Sequence, residues 1–225
     1  MRQSDTTNEM EERAAAAGSR RATTILRTKL RPPVESRGLI ARPRLLEVLE
    51  QNPRRLLTVL SAPAGYGKTT LVTQWLQAVE TQPALLQLSE DDSELRTFLS
   101  YLVAAIQGRF PKACPDTAAL LEAAQLPPLS LLADTLSNDL DSGSEPLVLV
   151  LDDYHLVANA EIDELLDSLL RHPPRPLHLV LVTRYDPAIS LSSLRARGWL
   201  TEIRQEDLRF TKTEVSEVLR EMAEV

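Results

Sequence analysis

The sequence predicts an α/β fold in three layers, with helices on both faces of a central, mainly parallel sheet of about five strands. Three observations carry this. Five short strand-like runs recur at residues 56–60, 84–88, 147–151, 177–182 and around 200–204, and the first four are aliphatic almost throughout. Such runs mark strands buried on both faces, as parallel strands are. Helix-period segments separate the runs, which is the alternation that builds a parallel sheet with covering helices. Apolar residues make up 43% of the chain and charged residues 25%, so it has the composition of a globular domain.

The elements follow in order. Residues 1–22 are polar, charged and Ala-rich, without apolar periodicity, and read as a tail. Order is expected from near Thr24, where Ile25, Leu26 and Leu30 appear. Pro32-Pro33 is a stiff extended stretch. Pro43 suits the first turn of a helix whose apolar face is Leu45, Leu46, Val48 and Leu49. The first strand runs into a Gly-containing loop, then a helix carrying Leu71, Val72, Trp75, Leu76 and Val79. Phe98, Leu99, Leu102, Val103 and Ile106 mark a helix after the second strand, and residues 115–141 read as helical pieces broken at Pro127-Pro128. The third strand ends in Asp152-Asp153, and the helix of Ile162, Leu165, Leu166 and Leu169 that follows is broken by Pro173, Pro174 and Pro176. The fourth strand ends in Thr183-Arg184, a short helix near 190–197 leads to the fifth, and a new helix starts at Thr211. The expected organisation is a tail over 1–23, one α/β domain over 24–210, and the start of a helical subdomain over 211–225.

Composition removes several function classes. The single cysteine, Cys114, allows no internal disulfide and no Cys-rich metal site, and it is assigned no redox function. Three histidines without HExxH spacing argue against zinc. No run of about 18 apolar residues is present, so a membrane span is not expected, and a cytoplasmic protein is the default. Residues 1–60 hold 12 Lys/Arg against 7 Asp/Glu, whereas residues 61–170 hold 4 against 17. A nucleic-acid-binding domain carries a basic stripe, so this acidic middle is not expected to touch DNA.

The segment Ala62-Pro63-Ala64-Gly65-Tyr66-Gly67-Lys68-Thr69 fits G-x-x-x-x-G-K-[ST] except at its first position, where Ala62 replaces Gly. It stands between a strand and a helix, the context a phosphate loop requires. Gly65 and Gly67 let the backbone curl so that N–H groups point at phosphate oxygens. Lys68 reaches the outer phosphates, Thr69 offers a hydroxyl to Mg²⁺, and the helix start from Thr70 onward adds its positive dipole end.

Asp152 ends an apolar strand, where phosphate-loop proteins carry the carboxylate that holds Mg²⁺. Asp153 either orients or deprotonates the attacking water, or caps the following turn. An aspartate is shorter than a glutamate and holds a water less favourably, so slow turnover is expected. Arg184, at a strand's C-terminal end, either contacts the terminal phosphate or pairs with an acid such as Asp186. His155 is read as structural, and Asp91-Asp92 as a solvated loop.

Taken together, these stretches resemble the N-terminal nucleotide-binding domain of the MalT type, among the large ATP-binding LuxR-like regulators of the STAND class. The resemblance rests on Leu26-Arg27-Thr28-Lys29-Leu30-Arg31-Pro32-Pro33, Ile40-Ala41-Arg42-Pro43-Arg44-Leu45, the loop from Ser61 to Leu71, and Leu149-Val150-Leu151-Asp152-Asp153-Tyr154-His155. It continues through Thr183-Arg184-Tyr185-Asp186-Pro187, Leu194-Arg195-Ala196-Arg197-Gly198 and Leu208-Arg209-Phe210. It implies a phosphate-loop NTPase sheet of the additional-strand type, with the Arg184 strand between the loop strand and the Asp152 strand. It also implies that Ile40 and Arg42 pack near adenine and that Arg184 is a sensor of the terminal phosphate. The implied ligands are ATP or ADP with Mg²⁺, and the implied behaviour is a switch that self-associates in its ATP form. Family members carry sensor and helix-turn-helix domains that are not complete here, so direct DNA contact is not expected. The apolar positions Val215, Val218, Leu219 and Met222 would lack a partner in a chain ending at Val225; a fragment, a truncated reading frame or a short protein working with others is therefore expected. Two other readings stay open at this point: a module that binds ADP or ATP without turnover, and a small-molecule phosphotransferase, for which no lid sequence is evident.

Overall fold

The computed structural model describes residues 24–32, 42–52, 55–78, 82–157 and 159–216. One five-stranded sheet holds β1 (Leu57–Ser61), β2 (Ala84–Gln87), β3 (Leu147–Asp152), β4 (Leu177–Thr183) and β5 (Leu200–Arg204), in the order β2-β3-β4-β1-β5. Every pairing is parallel. β4 therefore lies between the loop strand and the Asp152 strand, as the resemblance implied. Ser61 faces Thr183 and Leu151 faces Leu181, which brings the ends of β1, β3 and β4 out on one edge of the sheet.

Alternate strand residues go to opposite faces, and each face buries its own core. Leu60, Val148, Val150, Val180, Val182 and Ile203 pack with α1 (Pro43–Gln51) and α2 (Lys68–Ala78), where Trp75 fills the centre. Leu57, Val59, Leu149, Leu151, Leu179 and Leu181 pack on the other side. There the cover is α3 (Leu95–Arg109), α4 (Pro115–Leu121), α5 (Leu129–Asp141), α6 (Ala160–Arg171) and the short α7 (Leu191–Ala196). Pro43 takes the first helical position of α1, and the Pro127-Pro128 break separates α4 from α5, both as expected.

The segment before α1 is tied down by a buried charge. Residues Arg27–Leu30 form a 3₁₀ turn against β2. Lys29 Nζ donates to both Asp92 oxygens at 2.7 and 2.8 Å and to Ser89 Oγ at 2.7 Å, above the ring of Tyr101. The Tyr101 hydroxyl bonds to Leu26 N and Thr24 O. This corrects the reading of Asp91-Asp92 as a solvated loop: Asp91 is exposed, but Asp92 is only 1% exposed because Lys29 neutralises it.

Residues 212–216 are helical, as expected from Thr211. Thr211 and Glu214 form a reciprocal capping pair: Thr211 N donates to Glu214 Oε2 at 2.7 Å, and Glu214 N to Thr211 Oγ1 at 3.2 Å. Val215 is exposed. Ile40, Val218, Leu219 and Met222, together with the tail, lie outside the described residues.

Under α2 sits a histidine that the site does not use. His178 Nε2 lies 2.9 Å from Thr58 Oγ1, and its ring meets Trp75 edge-on at 5.6 Å. Burial, with Arg55 nearby, pushes its pKa down to about 3. The native ring stays neutral where the unfolded chain takes up a proton, below about pH 6.5. Stability at this group is therefore full above that pH and is lost as pH falls toward 3. The expected loss between pH 7 and pH 5 is about 1–2 kcal/mol. Denaturant unfolding at both pH values, with His178→Leu as reference, measures it; an equal pH slope in the two proteins overturns the prediction.

Candidate functional site

The loop after β1 takes its shape from two glycines. Gly65 and Gly67 have φ of 83° and 75°, and a Cβ at either would meet nothing within 4 Å. Backbone conformation, not space, demands glycine there. Ala62, in the place of the usual first glycine, is buried at the base of the loop, and its N–H donates to Thr183 O at 3.3 Å. Pro63, Ala64, Gly65 and Gly67 are exposed, and Tyr66 partly so.

α2 begins at Lys68, which folds back over its own loop. Its Nζ donates to Ala62 O at 2.7 Å and Pro63 O at 3.0 Å, and the side chain is buried. Burial pulls the ammonium pKa below the usual lysine value; Asp152 and Asp153 push it back up, and Arg184 pulls it down further. Thr69, next along, donates its hydroxyl to the Asp152 carboxylate at 3.0 and 3.2 Å. Asp152 is 4% exposed. Burial, then the neighbouring Asp153, raise its pKa above the usual carboxylate range; the Thr69 hydroxyl and the Asp153 N–H, 2.9 Å from Oδ1, act against them. Among the described residues no three His, Cys, Asp or Glu side chains converge as a metal cage. A cation placed here would rely on Thr69, Asp152 and the oxygens of a bound phosphate, which is how Mg²⁺ is usually held beside nucleotides.

Asp153 adopts the left-handed conformation, φ 57°, which aspartate tolerates better than most residues. Its side chain makes no capping bond to the 3₁₀ turn Tyr154–Leu156 that it precedes. The turn is closed instead by its backbone carbonyl, which accepts from Leu156 N at 2.9 Å. The side-chain cap, one of the two readings of Asp153, is not formed.

Arg184 is exposed just beyond the end of β4 and acts electrostatically on both Lys68 and His155. The alternative partner, Asp186, is engaged by Arg204. His155, read from the sequence as structural, comes to the same edge. Its ring meets Tyr185 edge-on at 6.2 Å, and both ring nitrogens are hidden from solvent without a hydrogen-bond partner. Burial, Arg184 and Lys68 hold its pKa below the usual histidine value, against the pull of Asp153. The signal that could have found it is its place two residues after Asp153, on a short connection leaving a strand end.

Beside the loop lies a cavity of about 520 Å³, walled by Gly65, Tyr66, Gly67 and Thr70 on one side and by Arg42 and residues 208–210 on the other. Arg42 is buried, and its guanidinium bonds to Leu208 O, Arg209 O and Glu214. A second cavity of about 510 Å³, between Glu94, Pro127, Pro128, Asn159 and Glu161, has carboxylates at its rim and no loop amides. The first has the chemistry of a phosphate ligand's neighbour, and the second does not. No helix among the described residues is long and apolar enough to cross a membrane.

Comparison with known proteins bears on the family and the fold. The sequence model of the AAA ATPase domain matches residues 41–182. The HTH-type transcriptional regulator MalT of Serratia proteamaculans is 38% identical over 193 residues, covering 86% of this chain and 21% of that protein. MalT of Yersinia pestis is 36% identical over the same length, with the same coverage. The chain thus spans about a fifth of the length of these curated relatives. Among solved structures, a STAND signal-transduction ATPase with a tetratricopeptide repeat sensor from Pyrococcus horikoshii superposes with a TM-score of 0.55 at 13% identity. That match covers 86% of this chain and 27% of the other, and it is a likeness of fold.

Proposed function

Because the chain belongs to the AAA ATPase domain family, we propose that it is the ATP-binding, slowly hydrolysing switch module of a MalT-like transcriptional regulator. One observation carries this reading: Lys68, Thr69 and Asp152 meet at the end of β1 and β3, with the Thr69 hydroxyl on the Asp152 carboxylate across 83 positions of sequence. The amides of residues 64–69 and the Lys68 ammonium bind the phosphates, Lys68 exchanging its two carbonyl partners for phosphate oxygens. Thr69 and Asp152 hold Mg²⁺, which neutralises phosphate charge. Thr70 and Arg42 border the cavity that takes the nucleoside end. Asp153 orients the attacking water and accepts its proton, with the neutral His155 ring beside it. Arg184 meets the terminal phosphate. In the cytoplasm, the ATP form self-associates and the ADP form does not. The chain itself is not proposed to contact DNA.

Calorimetric titration of nucleotide-stripped protein with Mg-ATP and Mg-ADP tests the reading. Both are expected to bind, ATP with the contribution of Arg184. Arg184→Ala is expected to weaken ATP by about tenfold, the worth of one charge-assisted hydrogen bond, and to leave ADP unchanged. Equal loss for both nucleotides removes the sensor role, and no binding by the folded wild type removes the proposed function.

A further inference from the structure

The exposed arginine past the end of β4 has an acid two residues away, and a third residue holds that acid. Arg184 makes no ion pair or hydrogen bond among the described residues. Asp186 follows it on the same turn, where Thr183 Oγ1 donates to Tyr185 O at 2.8 Å. Opposite charges this close on one turn attract each other. Asp186 nevertheless pairs with Arg204.

Arg204 comes from another strand. It closes β5 level with Ser61 of β1, and Ser61 is level with Thr183 of β4. β1 therefore lies between the two partners, and a strand spacing of about 4.8 Å puts β4 and β5 about 10 Å apart. The ion pair crosses that gap at the edge of the sheet where the phosphate loop begins, a reach that suits a long side chain. Other groups orient Arg204 for it. Its guanidinium also bonds to Glu202, two positions earlier and so on the same side of β5. Glu202 is held in turn by Arg195 of α7, at 2.9 and 3.0 Å. The Arg204 N–H donates to Asp207 Oδ2 at 2.8 Å. Asp186, Arg204, Glu202 and Arg195 thus form a chain of alternating charge that runs from the Arg184 turn to α7.

On the reading that Arg184 meets the terminal phosphate, we infer that Arg204 is a positioning residue for that contact: by occupying Asp186 it keeps the Arg184 guanidinium free for the phosphate. Without Arg204, the Asp186 carboxylate competes with the phosphate for Arg184. The competition affects ATP, which brings a third phosphate, and not ADP.

Calorimetric titration with Mg-ATP and Mg-ADP tests this on Arg204→Ala, on Arg204→Ala combined with Asp186→Ala, and on Arg184→Ala with and without Arg204→Ala. An exposed ion pair is a weak competitor, so Arg204→Ala is expected to weaken ATP about three- to fivefold and to leave ADP unchanged. Adding Asp186→Ala is expected to restore ATP affinity, because the competitor is gone. In the Arg184→Ala background, Arg204→Ala is expected to cost nothing further. Unchanged ATP affinity in Arg204→Ala, equal loss for ATP and ADP, or no restoration by Asp186→Ala overturns the inference. So does a loss that persists without Arg184, which would mark a long-range effect of the charge alone. If Arg184→Ala binds ATP as the wild type does, the sensor reading falls and takes the inference with it; if Arg184→Ala loses ATP and Arg204→Ala does not, the inference falls alone. Arg204 and Asp186 are both partly exposed, so their replacement spares the core, and circular dichroism of each variant checks that the fold is kept.

Discussion

Lys68→Ala is expected to weaken Mg-ATP and Mg-ADP together by about 100-fold or more. The ammonium is already buried and directed at the loop, with two carbonyls as its partners. Burial disfavours its charge, so a phosphate that pairs with it relieves a cost rather than adding one. Two hydrogen bonds to a charged group, at about 1.5–3 kcal/mol each, account for a factor of that size. Lys68→Arg keeps the charge but not the reach, because a planar fork does not fit a site shaped for a point charge; it is expected to recover only part of the affinity. Titration calorimetry reads both variants, and wild-type affinity in Lys68→Ala would refute the site. The uncharged alanine leaves α2 intact, since its first turn is also held by Leu71 N donating to Gly67 O.

Asp153→Asn is expected to abolish turnover, by a factor on the order of 100 or more, without loss of ATP affinity. Asparagine suits this position as a control because it accepts the left-handed backbone that Asp153 adopts, φ 57°. The variant thus removes the carboxylate and keeps the turn that places His155. Wild-type turnover is expected below the roughly 10 s⁻¹ typical of enzymes, because an aspartate at this point holds water less closely than a longer carboxylate. Phosphate release under saturating Mg-ATP measures both proteins. Wild-type turnover as low as that of the variant would make this a binding module rather than an ATPase.

Much of the fold was legible because its information is local. The runs from Leu147 and from Leu177 are aliphatic on both faces, so they could only be interior parallel strands. Pro43 and Pro127-Pro128 set helix boundaries through a missing N–H and a fixed φ, which act within a residue or two. The loop was legible for the same reason: Gly65 and Gly67 announce a backbone that only glycine takes without strain. What escaped depends on distant partners. Asp92 looks solvated until Lys29 arrives from 63 positions away. His155 carries no local mark of its neighbours, since only the ends of β3 and β4 bring it to Arg184 and Tyr185. Arg42 reaches Leu208 across 166 positions, and no periodicity or spacing in either segment records that contact. The order of β4 between β1 and β3 came through resemblance, since strand pairing carries no local mark in five runs of such similar composition.

The Lys29 strap has a consequence for the rim of the sheet. β2 is a terminal strand, and an unpaired strand presents a row of free amides and carbonyls to which another chain can add. The turn Arg27–Leu30 lies against that strand, held by an ion pair whose carboxylate is almost wholly enclosed. The stretch matched to the AAA ATPase domain starts later, at residue 41, and runs to residue 182, so it holds Lys68, Thr69, Asp152 and Asp153 and stops just short of Arg184. The stretch proposed to perform the chemistry and the turn that lies against the terminal strand β2 are thus separate in sequence, and the second precedes the first.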